Sequence, residues 1–548
     1  MTSFTPAPLP PGQPGQPLRR IVVVGGGTAG WMTAAPLAQL FNRDGGRPCE
    51  VVLVESPDIG TIGVGEATLP TIRYYNRALG LDGADFIRRT QATFKLGIEF
   101  RDWGAVGHRF FHGFGGFGPA IENVSPHHHW LRLAGEAAES DAAGQAWPPL
   151  EDWSAASVMA RGHKFTPPQG DTPAAANAFS YAFHFDAGLY AAYLRDYAIE
   201  RGAQRVSGTI TRVLQHAESG EVTALELADG RRIDGDLFVD CSGLRALLIE
   251  GTLQAGFDDW SAWLPCDSAL AVPSERTAAL TPYTTSTAGE AGWRWRIPLQ
   301  HRTGNGHVYA SGFTSDDEAA RALLAGLDGA PLESPRPIRF TTGCRRAHWV
   351  KNVVAVGLAG GFLEPLESTS IQLIMDAVGR LIELMPTQGG DAALAAEFNR
   401  RMRRQYESVR DFIVLHYTLT QRQDSAFWRY CAAMPIPDTL QHQIELFKAT
   451  ARVAILDPDG FAEPSWVSLL LGLGVQPRGH DPRADLIPAA ALRGHFERVR
   501  TAIARTAADM PTQAEFIARH VAAPPVPASA PAGRAPAAAS PPAHTQPA

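Results

Sequence analysis

Four β-branched residues, Ile21-Val22-Val23-Val24, run directly into Gly25-Gly26-Gly27-Thr28-Ala29-Gly30. Such a run reads as a buried strand, and glycines straight after it force a tight turn into the next element. The spacing predicts a helix over 31–41 and a second strand over 49–55, the opening of a Rossmann-type unit. In that unit Gly25 permits the tight turn, Gly27 lets the backbone approach a pyrophosphate, and Gly30 lets the helix close on the strand. Thr28 and Ala29 sit in the turn itself, just before the helix whose N-terminus then faces the phosphates. Glu55 ends the second strand 25 residues after Gly30, beyond the usual spacing but right in kind for a ribose hydroxyl pair. A bound dinucleotide is the expectation; the alternative is a glycine turn that merely packs.

Small residues recur at the ends of later apolar runs. Asp240-Cys241-Ser242-Gly243 follows a run over 232–241, and Gly357-Leu358-Ala359-Gly360-Gly361 follows one over 351–357. They suit a cofactor lying across the sheet, which favours FAD over NAD. On this reading Asp240 sits near the ribityl or pyrophosphate region, Gly360 to Leu363 approach the isoalloxazine ring, and Gly357 is a further cofactor-binding residue. Ala67, in Gly63-Val64-Gly65-Glu66-Ala67-Thr68, belongs with the flavin elements. There is no second glycine fingerprint with an acidic strand end, so the flavin is expected to be reduced elsewhere.

The fold class expected is α/β: a Rossmann-like, flavin-monooxygenase type of FAD domain with a mostly helical C-terminal substrate subdomain. The divisions are a flexible segment 1–18, a core 19–385 with inserted substrate elements, helices over 386–521, and a Pro/Ala-rich tail 522–548. A hairpin is expected over 206–227, with its turn at 218–221, and helices over 393–419, 439–455 and 492–510. The insertions, about 75–205 and 245–340, are expected to build the substrate region.

A net charge of -7 argues against a nucleic-acid partner. No stretch of 18 apolar residues is present, so no membrane span is expected. The N-terminus lacks the basic head and apolar core of a secretory signal. Five scattered cysteines with no C-x-x-C pair fit a reduced, cytoplasmic setting. His127-His128-His129 invites a metal reading, but adjacent residues cannot all face one ion and no partner stands at ligand spacing. A solvated or capping role is expected instead, and no metal.

Lys95 lies among apolar neighbours in Phe94-Lys95-Leu96-Gly97-Ile98. Burial would lower its pKa and make it a nucleophile or donor; the alternative is a packed stem with its tip in water. Glu364 and Glu367 are candidate carboxylates, or simply charges at a helix start. Trp293 and Trp295 share a face if extended, with Arg294 and Arg296 on the other, making a barrier or ordinary packing. His112 and Phe114, in a glycine-rich aromatic stretch, and Trp466 are candidate walls for a flat ligand, or a packed loop.

Taken together, Gly25 to Trp31, Gly63 to Pro70, Phe94-Lys95, Gly292-Trp293-Arg294-Trp295-Arg296-Ile297-Pro298 and Phe362-Leu363-Glu364-Pro365-Leu366-Glu367-Ser368-Thr369 resemble the flavin-dependent halogenases of the tryptophan halogenase type. The likeness continues through Arg410-Asp411-Phe412-Ile413 and Phe427-Trp428-Arg429 to Ser465-Trp466, covering about residues 19–510. It implies reduced FAD from a separate, transient flavin reductase. With dioxygen and halide this yields hypohalous acid, which crosses an internal tunnel to an aromatic substrate. Lys95 would hold or carry the halogen, and Glu367 would orient the oxidant or take the ring proton. Trp293, Trp295 and Ser368 would form the barrier and tunnel. Thr369 and Ser370 would bind halide. Serine stands at 370 where tryptophan-specific members have glycine, which points toward bromide being accepted at least as well as chloride. The segment that grips free tryptophan is not recognisable, so an indole, a phenol or a larger natural product is as credible. A monomer or homodimer is expected. The rivals are an aromatic hydroxylase and a non-catalytic flavin-binding scaffold.

Overall fold

The strand, turn and helix of the opening are all present in the computed structural model of the chain, which describes residues 17–41, 49–57, 65–139, 147–168, 179–277, 279–387, 391–455, 457 and 459–525. Arg20–Val24 is a strand buried throughout, and the helix starts at Thr28, earlier than expected, and runs to Phe41. The strand lies between Glu50–Glu55 and Leu237–Asp240 and pairs parallel with both. Val353–Ala355 continues the sheet on one side and Gln204–Ser207 on the other, while Trp349–Val350 closes an edge antiparallel. Parallel strands covered on both faces read as unbroken apolar runs, which is why these segments were visible in the sequence.

Two expected strands are divided. The first two residues of the 206–227 stretch belong to Gln204–Ser207 in the main sheet, and only Ile210–Gln215 and Val222–Leu227 form the hairpin. The 232–241 run breaks into Arg232–Asp234 and Leu237–Asp240. The break falls at Gly235, where a Cβ would lie 2.7 Å from Val22 Cγ2, and Asp236 turns inward to accept the Arg19 and Arg20 amides at 2.8 and 3.0 Å.

The insertions supply strands to three further sheets, two of which border the site. Seven strands run in the order Arg336–Arg339, Ser268–Ser274, Thr303–Tyr309, Gly292–Pro298, Thr284–Ala288, Gly97–Arg101, Arg109–Gly113. A three-stranded sheet places Ala182–Asp186 between Gly65–Ala67 and Thr93–Lys95.

Beyond 386 every regular element among the described residues is helical: Ala392–Thr418, Ala426–Ala433, Asp438–Thr450, Glu463–Gly472, a short turn at Pro482–Leu486, Ala489–Asp509 and Gln513–His520. The helix expected over 439–455 stops at Thr450 because Ala451 turns left-handed, φ 58°. One apolar core runs from Ile21 to Val521, so these helices share it with the sheets. No helix of the described residues is long and apolar enough to cross a membrane.

The three adjacent histidines are not solvated. They open the helix Pro126–Glu139 and are 2%, 4% and 0% exposed. His127 Nε2 lies 2.9 Å from the Ala451 carbonyl, His128 Nδ1 accepts the Asp481 amide at 3.2 Å, and His129 Nε2 lies 3.2 Å from the Ile121 carbonyl. They cross-link three loops in three directions. Among the described residues no group of three or more His, Cys, Asp or Glu side chains is placed to hold a metal. Of the expected tail, residues 522–525 pack on the body, where the Ala523 amide donates to Gln300 Oε1 at 2.8 Å. Residues 1–16 and 526–548, and with them the rest of both terminal segments, lie outside the described residues, as do Gly63 and Val64.

Candidate active site

Three chain segments meet at the C-terminal ends of the parallel strands. Gly25 has φ +117°, and a Cβ there would lie 2.3 Å from the Cys241 carbonyl oxygen. At Gly30 a Cβ would lie 1.8 Å from the Gly25 carbonyl oxygen, so the helix closes on its own turn. Gly27, in contrast, faces open space, with nothing within 4 Å of an added Cβ. Steric need explains the first two glycines; the third leaves room for an approaching ligand backbone. Glu55 lies over this turn, where a Cβ on Gly26 would meet its Oε2 at 1.6 Å, and it pairs with Arg205. Gly357, φ +68°, rests on the first helix, its added Cβ 2.8 Å from Ala29 Cβ, and Gly360 follows within one short turn.

These features fit the phosphates and ribose of a dinucleotide such as FAD. Asp240 is placed differently from the others. It is fully buried and spends both oxygens on backbone amides, Oδ1 on Ser242 at 3.0 Å and Oδ2 on Leu248 and Ile249 at 2.8 and 2.9 Å. It ends its strand opposite Val24, beside the glycine turn, and shapes the loop that follows. Ala67 is buried against Ile297 and Leu299, with Trp295 packed on that cluster, and so joins the strand Gly65–Ala67 to the tryptophan strand.

Lys95 ends the strand Thr93–Lys95 and is 0% exposed. Its Nζ donates to the Thr68 carbonyl at 3.1 Å and to Ser368 Oγ at 2.8 Å, and stands 5.0 Å from the centre of the Phe114 ring. Burial pulls its pKa down to about 7, against the opposing pull of the Glu367 carboxylate. The alternative of a lysine tip in water is thereby excluded.

Glu367 is also 0% exposed. Burial by itself would push its pKa up, but two imidazoles outweigh it. His112 Nδ1 lies 2.9 Å from one carboxylate oxygen and His416 Nε2 lies 3.0 Å from the other, holding the group down at about 2. His416 also turns Nδ1 to the Phe412 carbonyl at 2.9 Å, so both of its nitrogens meet acceptors. His112 Nε2 is buried with no partner. Glu364 takes Trp293 Nε1 at 2.6 Å and the Tyr417 hydroxyl at 2.7 Å; burial nevertheless raises its pKa to about 7. Adjacent residues of one helix, His416 and Tyr417, therefore grip both glutamates of the Glu364–Glu367 turn.

Ser368 is left-handed, φ 62° and ψ 34°, and starts the helix Thr369–Glu383 with no side-chain cap. The Thr369 hydroxyl is buried and unpartnered, beside Ser370. Uncapped amides at a helix start attract anions.

Trp293 and Trp295 do share a face, their rings 6.0 Å apart; Trp293 is buried and Trp295 partly so. Arg294 and Arg296 point away, to the Ala322 carbonyl at 2.7 Å and the Asp328 carboxylate at 2.7 Å. His112, Phe114 and Trp466 are joined through Phe412: His112 is 6.4 Å from Phe114 and 5.8 Å from Phe412, and Phe412 is 4.9 Å from Trp466. Phe461 stacks on Phe412 at 3.7 Å.

Reading the sequence missed His416, Tyr417 and Thr68 as site residues. A helix face carrying a histidine and a tyrosine beside Phe412 was the one available signal.

Residues 20–489 match the family described as tryptophan halogenase. Tryptophan 6-halogenase ThaL of Streptomyces albogriseolus is 35% identical over 85% of this chain and 91% of its own length. Among solved structures, Xcc4156, a flavin-dependent halogenase from Xanthomonas campestris, superposes with a TM-score of 0.88 at 44% identity, covering 93% of this chain and 100% of its own. BrvH, a flavin-dependent halogenase from Brevundimonas sp. BAL3, gives 0.86 at 44% identity over 92% and 99% of the two chains.

Proposed function

The chain belongs to the tryptophan halogenase family, and from that premise we propose that it halogenates an electron-rich aromatic compound, an indole foremost, at Lys95. The observation that carries this reading is the buried lysine tethered to Ser368, the neighbour of a buried ionised carboxylate. FAD and a halide ion are the cofactor and cosubstrate of such a flavin-dependent enzyme. Reduced FAD, supplied by a separate reductase, provides with dioxygen and halide the hypohalous oxidant. Gly25, Gly27, Gly30, Thr28 and Ala29 would hold the pyrophosphate and Glu55 the ribose, and Gly357, Gly360 and Ala67 would complete the flavin site. Halide rests at the helix start of Thr369 and Ser370, and the added Cβ at Ser370 favours bromide at least as well as chloride.

Trp293, Trp295 and Ser368 lie on the path between flavin and substrate. Thr68 and Ser368 fix the lysine, whose remaining N–H donates to the oxidant and makes its halogen more electrophilic. His112, Phe114 and Trp466 hold the flat substrate so that one ring carbon meets that halogen. Glu367 takes the proton lost when the ring regains aromaticity.

Lys95→Ala tests this. Supplied with FAD, a reductase and bromide, the variant retains flavin and consumes reduced flavin, while halogenated indole, scored by mass spectrometry, falls at least about 100-fold. Undiminished halogenation rejects the assignment, and an oxygenated product from the parent would favour the hydroxylase.

A further inference from the structure

Lys95 stands on a strand of only three residues, paired on one side with Ala182–Asp186. On its other side the Phe94 amide donates to Gln513 Oε1 at 2.8 Å, and Gln513 Nε2 donates to the Leu280 carbonyl at 3.0 Å. Gln513 is 0% exposed and opens the helix Gln513–His520, whose start is fixed by a capping box between Thr512 and Glu515. A primary amide offers a donor and an acceptor. Here both meet backbone groups that would otherwise be buried unpaired.

The contact is not isolated. Phe516 meets Phe94 and Phe165 edge-on, and those two rings stack at 3.9 Å. Gln300 Nε2 donates to the Ala92 carbonyl at 2.7 Å while its Oε1 accepts the Ala523 amide. Gln91 Nε2 donates to the Pro524 carbonyl at 2.7 Å. Residues 91–94 are thus tied repeatedly to 513–524. The matched family region ends at residue 489, before this segment.

We propose that Gln513 is a positioning residue for halogen transfer. It replaces a missing strand at the open edge of the lysine strand, and so fixes where Lys95 Nζ meets Thr68 and Ser368. The inference rests on the halogenation proposed above. A displacement of about 1 Å at a reacting group costs on the order of 100-fold in rate, so a loosened strand shows first in the transfer step.

The test uses the full chain with FAD, reductase, bromide and indole. It measures brominated indole and, with a soluble scavenger, hypobromous acid that escapes. For Gln513→Leu, brominated indole falls about 10-fold through kcat with KM for indole unchanged, escaping oxidant does not fall, and flavin content is retained. Gln513→Glu, which keeps the acceptor for the Phe94 amide, recovers most of the product. Parent-like partition in Gln513→Leu overturns the proposal, as does a parallel loss of product and oxidant. If that variant does not fold, Gln513→Asn, one methylene short, carries the same test with the same outcomes. A parent enzyme that releases no oxidant and brominates nothing defeats the halogenation reading, and this proposal with it.

Discussion

At the scale of single residues, the chemistry turns on how two buried charges are held. Lys95 loses solvation and keeps its proton only loosely, with a pKa of about 7. Its N–H donation to the oxidant therefore fails as pH rises through about 7, below the ordinary lysine range. Halogenated product per reduced flavin should fall on the alkaline side with a midpoint near 7, while flavin reoxidation shows no such limb. A product yield flat to pH 9 contradicts the donor role. Glu367 is ionised throughout that range, because His112 and His416 both point at it. Glu367→Gln removes the proton acceptor and leaves two imidazoles facing an amide. Product formation should drop about 100-fold or more, as expected for a lost general base, with release of oxidant unchanged. Parallel loss of both outputs would place Glu367 in oxidant formation instead.

At the scale of elements, what was legible in the sequence had a local steric cause. The glycine turn was readable because a side chain at Gly25 strikes the Cys241 carbonyl and one at Gly30 strikes Gly25. Lys95, Glu367, Trp293 and Trp295 were legible only through the family pattern, since nothing in their own segments separates a site from packing. The grip of His416 on Glu367 spans 49 residues and that of Gln513 on Phe94 spans 419, so no periodicity carries them. The solvated reading of the histidine triplet fails because polar side chains are ordinarily exposed, whereas here backbone groups of distant loops and helix ends meet each ring. The turn itself offers a paired test. Gly27→Ala enters open space at the fold's expense of under about 0.5 kcal/mol, yet stands where a pyrophosphate would pass. It should leave the thermal midpoint within a few degrees of the parent and weaken flavin binding at least tenfold, read by absorbance titration. Gly25→Ala should lower both, since its strain of about 1–3 kcal/mol falls on the folded chain itself. Equal flavin affinity in Gly27→Ala and parent removes the pyrophosphate from this turn.

At the scale of the whole molecule, several histidines are built into the body in their neutral form. Burial lowers the pKa of His348 and His128 to about 3, and of His301 and His307 to about 4. His184 is pushed well below its ordinary value, chiefly by burial and then by Lys95. In the unfolded chain each of these rings returns to about 6.5. Below that pH the unfolded state binds more protons than the folded one, so stability rises with pH and is lost on acidification. Each such ring contributes up to about 1.4 kcal/mol per pH unit between 6.5 and its folded value. The buried carboxyls Glu66 and Glu364, raised to about 7 by burial, work in the opposite sense over this window, but the five histidines outnumber them and dominate it. Thermal midpoints measured at constant ionic strength should be level from pH 8 to 7 and then fall steeply from 6.5 to 5. A midpoint unchanged between pH 7 and 5 would mean that these rings are reached by water and protonate without unfolding the chain.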